Sequence, residues 1–487
     1  MAPHPILRYS AGLALAGLAF FSCKLPAHLE IRDLPSPPTY LNYGLTEKSP
    51  ADSAALGSLN WKTFFRDPLL IALIDTALQR NLDLKNAEQN LFAAQALLKA
   101  SGGRLWPTVN ATAGAGLTRF GRQTIDGVGN YDVNFSPNIA ADQRIPNPVP
   151  DFALGFQSTW EVDISGKIRH YKKAARARFM ASEEGLRFLK TQIIGAVAHL
   201  YYLLISLDTE LEIIRRNIEL QESALEVIEI QKQSGKINEL AVKQFRTQVL
   251  DTRSLEYEKL QERLVIENAL NTLLARYPAR IPRKDTLNVQ DLPSLIQGPV
   301  SFNYVFQRPD IKAGLHQLTG AHHHLKASKA ELYPSLVLNA NFGLNGFDAA
   351  GLLSVPASLA FNLLSGLTAP ILNRYVLLGQ YKIAFSEKNK ALLDYQQKVI
   401  NAAQEVVNEL NRFENFRKVA QYKAEEFQLM KEASKISDQL FYTGFANYLE
   451  VLMTRQVLLR AELELTEARL QQFLASVQLL RALGGGL

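Results

Sequence analysis

Three consecutive histidines, His322-His323-His324, form the densest group of metal-binding side chains in the sequence. Neighbours on a helix point about 100° apart, so the three cannot share one ion; helical imidazole ligands need i, i+4 spacing. The spacing therefore reads as a solvated helix face, and no metal is expected. A second cluster is basic: Lys167, Arg169, His170, Lys172, Lys173, Arg176 and Arg178. It reads as a solvated collar, with contact to anionic lipid headgroups as its functional form. No aromatic residues interleave it, which argues against nucleic acid. The sequence has no GxSxG, HExxH or P-loop, and no GxGxxG in a strand–helix setting, so neither an enzyme nor a cofactor is expected. Its acids are scattered at helix-surface spacing, where solubility and i, i+4 pairing account for them.

The 487 residues of the chain carry 53 Lys+Arg against 47 Asp+Glu, a formal charge of +6. That small excess does not favour a nucleic-acid partner. With 47% hydrophobic and 21% charged residues the chain is not disordered. One cysteine, Cys23, rules out an intrachain disulfide and thiolate metal clusters. It follows Arg8 and the apolar run 9–21, which is too short to span a membrane but suits an export signal. A Cys at that place resembles a lipobox, so residues 1–22 are expected to be a signal peptide and Cys23 an acylated, palmitate-bearing N-terminus. No later run of 18 consecutive apolar residues follows, so further membrane contact requires an amphipathic surface or a β-barrel.

The chain is written twice. LKASGGRLWP (98–107) and LKASKAELYP (325–334) agree at six of ten positions, at an offset of 227. Tyr171-Lys172-Lys173-Ala174 matches Tyr381-Lys382-Ile383-Ala384, and GKINEL (235–240) matches GFANYL (444–449). The offset drops by 17 between the first two matches, which places an insertion in the Gly-, Asn- and Pro-rich stretch 118–150, read as a long loop. Each half runs helix, strand pair, long helix, shorter helix. The expected units are an extended, lipid-anchored segment 23–60, a first repeat 61–275 with strands in 107–162, a proline-rich linker 276–300, a second repeat 301–483 with strands in 334–370, and a tail 484–487.

In 108–117, 152–162 and 336–345, apolar side chains alternate with polar or small ones, and 357–369 does so more weakly. Strands apolar on one face and polar on the other are the pattern of a transmembrane β-barrel. Four strands cannot close one, because the minimum is about eight, so several copies must pool them. Residues 166–234 and 373–442 read as helices of roughly 100 Å each, carrying heptad-spaced apolar residues. Shorter helices near 68–105, 239–275, 303–333 and 447–483 are each about half that length. The expected fold is a membrane β-barrel plus an all-α column: two-fold internal repeat, four barrel strands per chain and a long antiparallel coiled-coil α-barrel.

WKTFFRDPLLIALIDTALQRNLDL (61–84), QRPDIKA (307–313), the two A-x-x-x-L-(W/Y)-P segments and FYTGFANYLEVL (441–452) together resemble the TolC/OprM-type outer-membrane efflux family, in its RND-associated outer-membrane lipoprotein (NodT-like) branch. The resemblance covers nearly all of 23–483. It implies a homotrimer with a 12-strand barrel in the cell outer membrane and a helical tunnel through the periplasm. It also implies partners: outer-membrane lipid, a periplasmic adaptor (membrane fusion) protein and an inner-membrane RND-type transporter. The function implied is passive conduction of drugs or metabolites to the exterior. A type I protein-secretion duct, or a lipid-anchored coiled-coil scaffold with no pore, stays open as an alternative.

At the tips, Gly235 and Gly444 suit left-handed helix ends, and Asn238 and Asn447 suit the next N-caps. The resemblance adds adaptor docking at Gly235, Asn238, Gly444, Asn447 and Tyr448, and a periplasmic gate at Leu449 and Glu450. The family's usual Asp and Arg are replaced here by Met453 and Gln456, which leaves Glu450 as the nearest acid. Three copies of it near an axis would attract cations, while Asn447-x-x-Glu450 also has capping-box spacing.

Overall fold

The computed structural model describes residues 40–41, 60–284 and 300–485. The signal peptide, Cys23, most of the segment 23–60 and residues 285–299 of the linker lie outside the described residues. Two short strands, β1 (Tyr40–Leu41) and β4 (Val300–Ser301), pair antiparallel.

The first repeat opens with α1 (Trp61–Phe64), α2 (Pro68–Arg80) and α3 (Leu82–Gly103). Asp67 caps α2, its Oδ1 accepting from Leu69 N at 2.9 Å, and Pro68 takes the first turn, where no N–H is needed. The single helix expected over 68–105 is two. Asn81 is extended (φ −54°, ψ 130°) and its Oδ1 accepts from Asp83 N and Leu84 N, so it ends one helix and caps the next. The helix expected over 303–333 also divides, into α7 (Asn303–Gln307) and α8 (Pro309–Ala330). Pro309 drives Arg308 out of helical geometry, to ψ 136°.

Four strands form one antiparallel sheet: β2 (Thr108–Thr118), β3 (Val149–Val162), β5 (Ser335–Gly346) and β6 (Leu359–Thr368), in the order β2-β3-β5-β6. The two repeats meet at β3 and β5, where Phe156 faces Phe342 and Trp160 faces Leu338. Gly155 lies opposite Gly343, and a Cβ on either would fall 2.7 Å from the other's Cα, so this crossing needs two glycines. Every residue of β2 and β6 is exposed, and among the described residues each of these strands leaves one edge unpaired. The insertion at 118–150 is not all loop: it holds α4 (Ile125–Val133), capped by Thr124. The shorter β5–β6 connection holds α9 (Ala349–Leu352).

The column consists of α5 (Lys167–Gln233, 67 residues), α6 (Glu239–Leu273), α10 (Arg374–Thr443, 70 residues) and α11 (Tyr448–Ala482). Near the sheet α5 packs on α3 and α8; farther along it packs on α6 and α11. α10 packs on α8 and α11. The heptad residues Ile193, Val197, Leu204, Leu207, Leu211, Ile214 and Ile218 are all buried, as is Gln221, the residue that interrupts the pattern. α5 contains an 18-residue window apolar enough to cross a membrane, but 56% of it is buried inside the chain, so it forms core.

Three apolar clusters order the column. Trp61, Phe65, Ile74, Leu84, Tyr201 and Phe473 join α1 and α2 to the middle of α5 and to α11. Tyr304, Val305, Ile311, Val406, Leu410 and Leu483 seat α7 and α8 on α10. Ile228, Val242, Phe245 and Leu452, with Phe441 and Tyr448 against them, hold the two hairpin tips together.

Candidate functional site at the helical tip

Both tips turn on a glycine. Gly235 (φ +72°) and Gly444 (φ +84°) sit in the left-handed region, where a Cβ would be strained. The next helices are capped by asparagines: Asn238 Oδ1 accepts from Ala241 N at 3.1 Å, and Asn447 Oδ1 from Leu449 N at 2.9 Å and Glu450 N at 3.1 Å. Glu450 does not complete a capping box to backbone. Its Oε1 instead accepts from Asn447 Nδ2 at 3.0 Å, and the side chain stays exposed. Tyr448 is half-buried in the tip cluster, so the turn is packed to the adjacent hairpin.

From the first turn of α11 onward, Leu449, Met453 and Val457 form an exposed apolar stripe at 43%, 58% and 39%. Leu449 thus stands free on the tip face, with Glu450 beside it. Gln456 donates from Nε2 to Gln248 Oε1 on α6, which ties the two hairpins where the family pattern would have an arginine. Arg455 instead crosses its own hairpin, Nη2 to Asp438 Oδ1 at 2.9 Å. In the first hairpin Glu239 bridges Lys232 and Lys243, and the Lys232 ammonium holds its carboxyl below the ordinary glutamate range. The Gln248–Gln456 contact was not legible in the sequence, because the two residues lie 208 positions apart.

The other sequence-flagged groups lie far from the tip. His322, His323 and His324 fan around α8, as the 100° step requires: His323 meets His170 of α5, Nδ1 to Nδ1 at 3.3 Å, while His324 faces Glu387 of α10 at 3.9 Å. Among the described residues no three metal-ligating side chains converge. Burial and the neighbouring Lys173 and Lys326 push both His170 and His323 below the usual imidazole range. The basic run opens α5. Its Arg169 binds Asp163, which also accepts from the Ile168 and Arg169 amides; burial raises that carboxyl, and these bonds outweigh it and lower it. QRPDIKA proves to be a brace. Arg308, buried, donates to the Ala482 carbonyl at 2.8 Å, pairs with Asp310 at 2.9 Å and reaches Glu405 at 2.8 Å.

An antiparallel sheet with open edges, exposed apolar side chains and a column of paired helices ending in capped turns defines an outer-membrane channel subunit with a helical duct. The outer membrane efflux protein family matches residues 73–276 and 306–485, and the chain belongs to it. The chain is 28% identical over 428 residues to the solvent efflux pump outer membrane protein SrpC of Pseudomonas putida, covering 87% of each. It is 24% identical over 488 residues to the cation efflux system protein CusC of Escherichia coli (strain K12), covering 100% of each. A crystal structure of CusC superposes with a TM-score of 0.80 at 23% identity, over 95% of this chain and 100% of that one. The Campylobacter jejuni CmeC outer membrane channel superposes with 0.79 at 21%, over 96% and 95%. The protein is therefore an outer-membrane efflux component with the fold expected from its repeats.

Proposed function

We propose that this chain forms a homotrimeric duct that passively conducts drugs or metabolites, delivered by an inner-membrane RND-type transporter through a periplasmic adaptor, and that Cys23 anchors it by acylation. The observation that carries the trimer is an asymmetry between the repeats. Among the described residues the long helix α5 packs on the short helices of both repeats, α6 and α11, whereas α10 packs on that of its own repeat, α11, and not on α6. Repeat symmetry supplies that partner from a neighbouring copy. Both surfaces carry the right stripes: Leu250, Tyr257 and Leu264 on α6, and Tyr422, Leu429 and Ile436 on α10, all exposed and each set spaced by seven. The unpaired edges of β2 and β6 call for the same neighbour, and three copies give about twelve strands, enough to close a barrel. The organisation into repeats 61–275 and 301–483 joined by the linker 276–300 follows the same division.

The tips at Gly235, Asn238, Gly444, Asn447 and Tyr448 would meet the adaptor, and Leu449 with Glu450 would form the constriction. An exposed leucine beside a carboxylate, repeated three times about an axis, narrows the path and favours cations. The test is native mass spectrometry of the detergent-extracted protein together with planar-bilayer recording. Trimers with cation-selective conductance, and loss of that selectivity in Glu450→Gln, are the expected results. Monomers without conductance would support a scaffold instead, and unchanged selectivity in the variant would remove Glu450 from the constriction.

A further inference from the structure

We propose that the start of α5 is a binding surface for the headgroups of anionic phospholipids in the membrane leaflet facing the helical column. Arg169, Lys172, Lys173 and Arg176 have spacing i, i+3, i+4, i+7, which places them on one arc of the helix, and all four are exposed. The opposite arc is turned inward: Ala174, Ala177 and Ala181 are buried. Lys326 of α8, also exposed, extends the patch beyond His170 and His323.

The carboxylates at this end are already engaged. Glu161 holds Lys167 at 2.5 Å, Asp163 holds Arg169 at 3.1 Å, and Glu331 accepts the Tyr171 hydroxyl at 2.8 Å. The first acid along α5 is Glu183, which is already paired to Arg187. Lys172, Lys173 and Arg176 are exposed and form no ion pair among the described residues.

Their place in the fold selects the ligand. Directly beyond α5 lies the sheet, whose exposed Phe156, Phe342, Phe361 and Leu363 offer an apolar surface. At the boundary, Trp106 and Tyr333 occupy equivalent positions in the two repeats and are 74% and 55% exposed, as interfacial aromatics of membrane barrels are. A basic arc about one to three helical turns past an aromatic boundary falls at headgroup depth, where each cation near an anionic surface contributes on the order of 1 kcal/mol. Stems of Lys and Arg lie along apolar surface while their heads reach phosphate. The inference rests on the sheet being seated in the membrane.

The full chain, extracted in mild detergent, is incubated with equal amounts of phosphatidylglycerol and phosphatidylcholine, and retained lipid is counted by native mass spectrometry. Wild type should retain phosphatidylglycerol at least threefold over phosphatidylcholine, and 0.5 M salt before transfer should erase the preference. Lys172→Gln/Lys173→Gln/Arg176→Gln should lose the preference, Lys172→Arg/Lys173→Arg/Arg176→Lys should keep it, and so should a tip control, Lys236→Gln/Arg246→Gln/Lys435→Gln. A triple Gln variant that keeps wild-type preference, or one that changes channel ion selectivity and leaves lipid retention intact, overturns the proposal; the latter would place the arc on the duct wall. The same spectra read oligomeric state. A monomeric wild type therefore counts against the channel reading, whereas a trimer without lipid preference counts only against the collar.

Discussion

Arg455 of α11 reaches across the second tip hairpin to Asp438 of α10, Nη2 to Oδ1 at 2.9 Å, eight residues beyond the N-cap Asn447. The pair pins the two arms close to the turn that carries Leu449 and Glu450. Partly exposed pairs contribute only about 0.2–1 kcal/mol each, so the clamp can be released without unfolding the hairpin. Asp438→Asn should increase single-channel conductance at least twofold in planar bilayers while leaving the helical circular dichroism unchanged. Unaltered conductance would show that the clamp has no part in the constriction.

Asn447 does two jobs in the same turn: it caps α11 and holds Glu450 Oε1 at 3.0 Å. Loss of an N-cap costs about 1 kcal/mol. Asn447→Ala should accordingly lower the thermal midpoint by a few degrees, and Asn447→Asp should restore the cap while repelling Glu450. Melting curves of the two variants separate the roles: equal loss in both would mean that the cap contributes little.

Tyr201 is fully buried, and its hydroxyl donates to Asp67 Oδ2 at 2.6 Å, joining the middle of α5 to the cap of α2. Burial and the carboxylate push the phenol well above its ordinary range, so it stays protonated at every working pH. Tyr201→Phe leaves Asp67, also buried, without this donor, and should cost about 1–3 kcal/mol in denaturant unfolding. A loss below about half a kcal/mol would show that water replaces the hydroxyl.

The His170–His323 contact gives a pH dependence with a definite sign. Both imidazoles are held below their ordinary value. The unfolded chain then binds more protons than the folded one as pH falls below about 6.5, so stability drops through that window toward the lowered folded values. The thermal midpoint should fall between about pH 7 and pH 5, and His170→Gln/His323→Gln should flatten that part of the curve. Groups facing the pair are Lys173 and Asp163 from the α5 end, and Lys326 and His322 from α8. An equally steep curve in the variant would assign the effect to other groups.

If the two exposed stripes meet between copies, a charge in either should dissociate the assembly. Leu429→Glu on α10 and Tyr257→Glu on α6 should each shift the native mass spectrum from trimer toward monomer, because each buries a lone carboxylate in an apolar seam. Trimers persisting in both would move the interface elsewhere.

Periodicity alone was sufficient for much of this architecture. The 3.5-residue spacing of Ile193, Val197, Leu204, Leu207 and Leu211 reflects which side of α5 is buried, and the two-residue alternation of β2 and β3 follows from successive side chains pointing to opposite faces; both rules are local. The tip turns were legible for the same reason: Gly235, Asn238, Gly444 and Asn447 act through their own backbone and the next turn. Breaks in helices were less so. Asn81 fits within the helical pattern of 68–105, and its capping role is reinforced by Leu273, whose carbonyl accepts from Nδ2 at 3.0 Å across 192 residues. Only the tertiary structure could decide that Arg308 is a buried brace to Ala482 and Glu405, that Gln248 meets Gln456, that His323 meets His170, and that among the described residues α10 does not pack on α6 and the outer edges of β2 and β6 are unpaired. Those facts depend on contacts between segments far apart in the chain, which side-chain type and spacing do not encode.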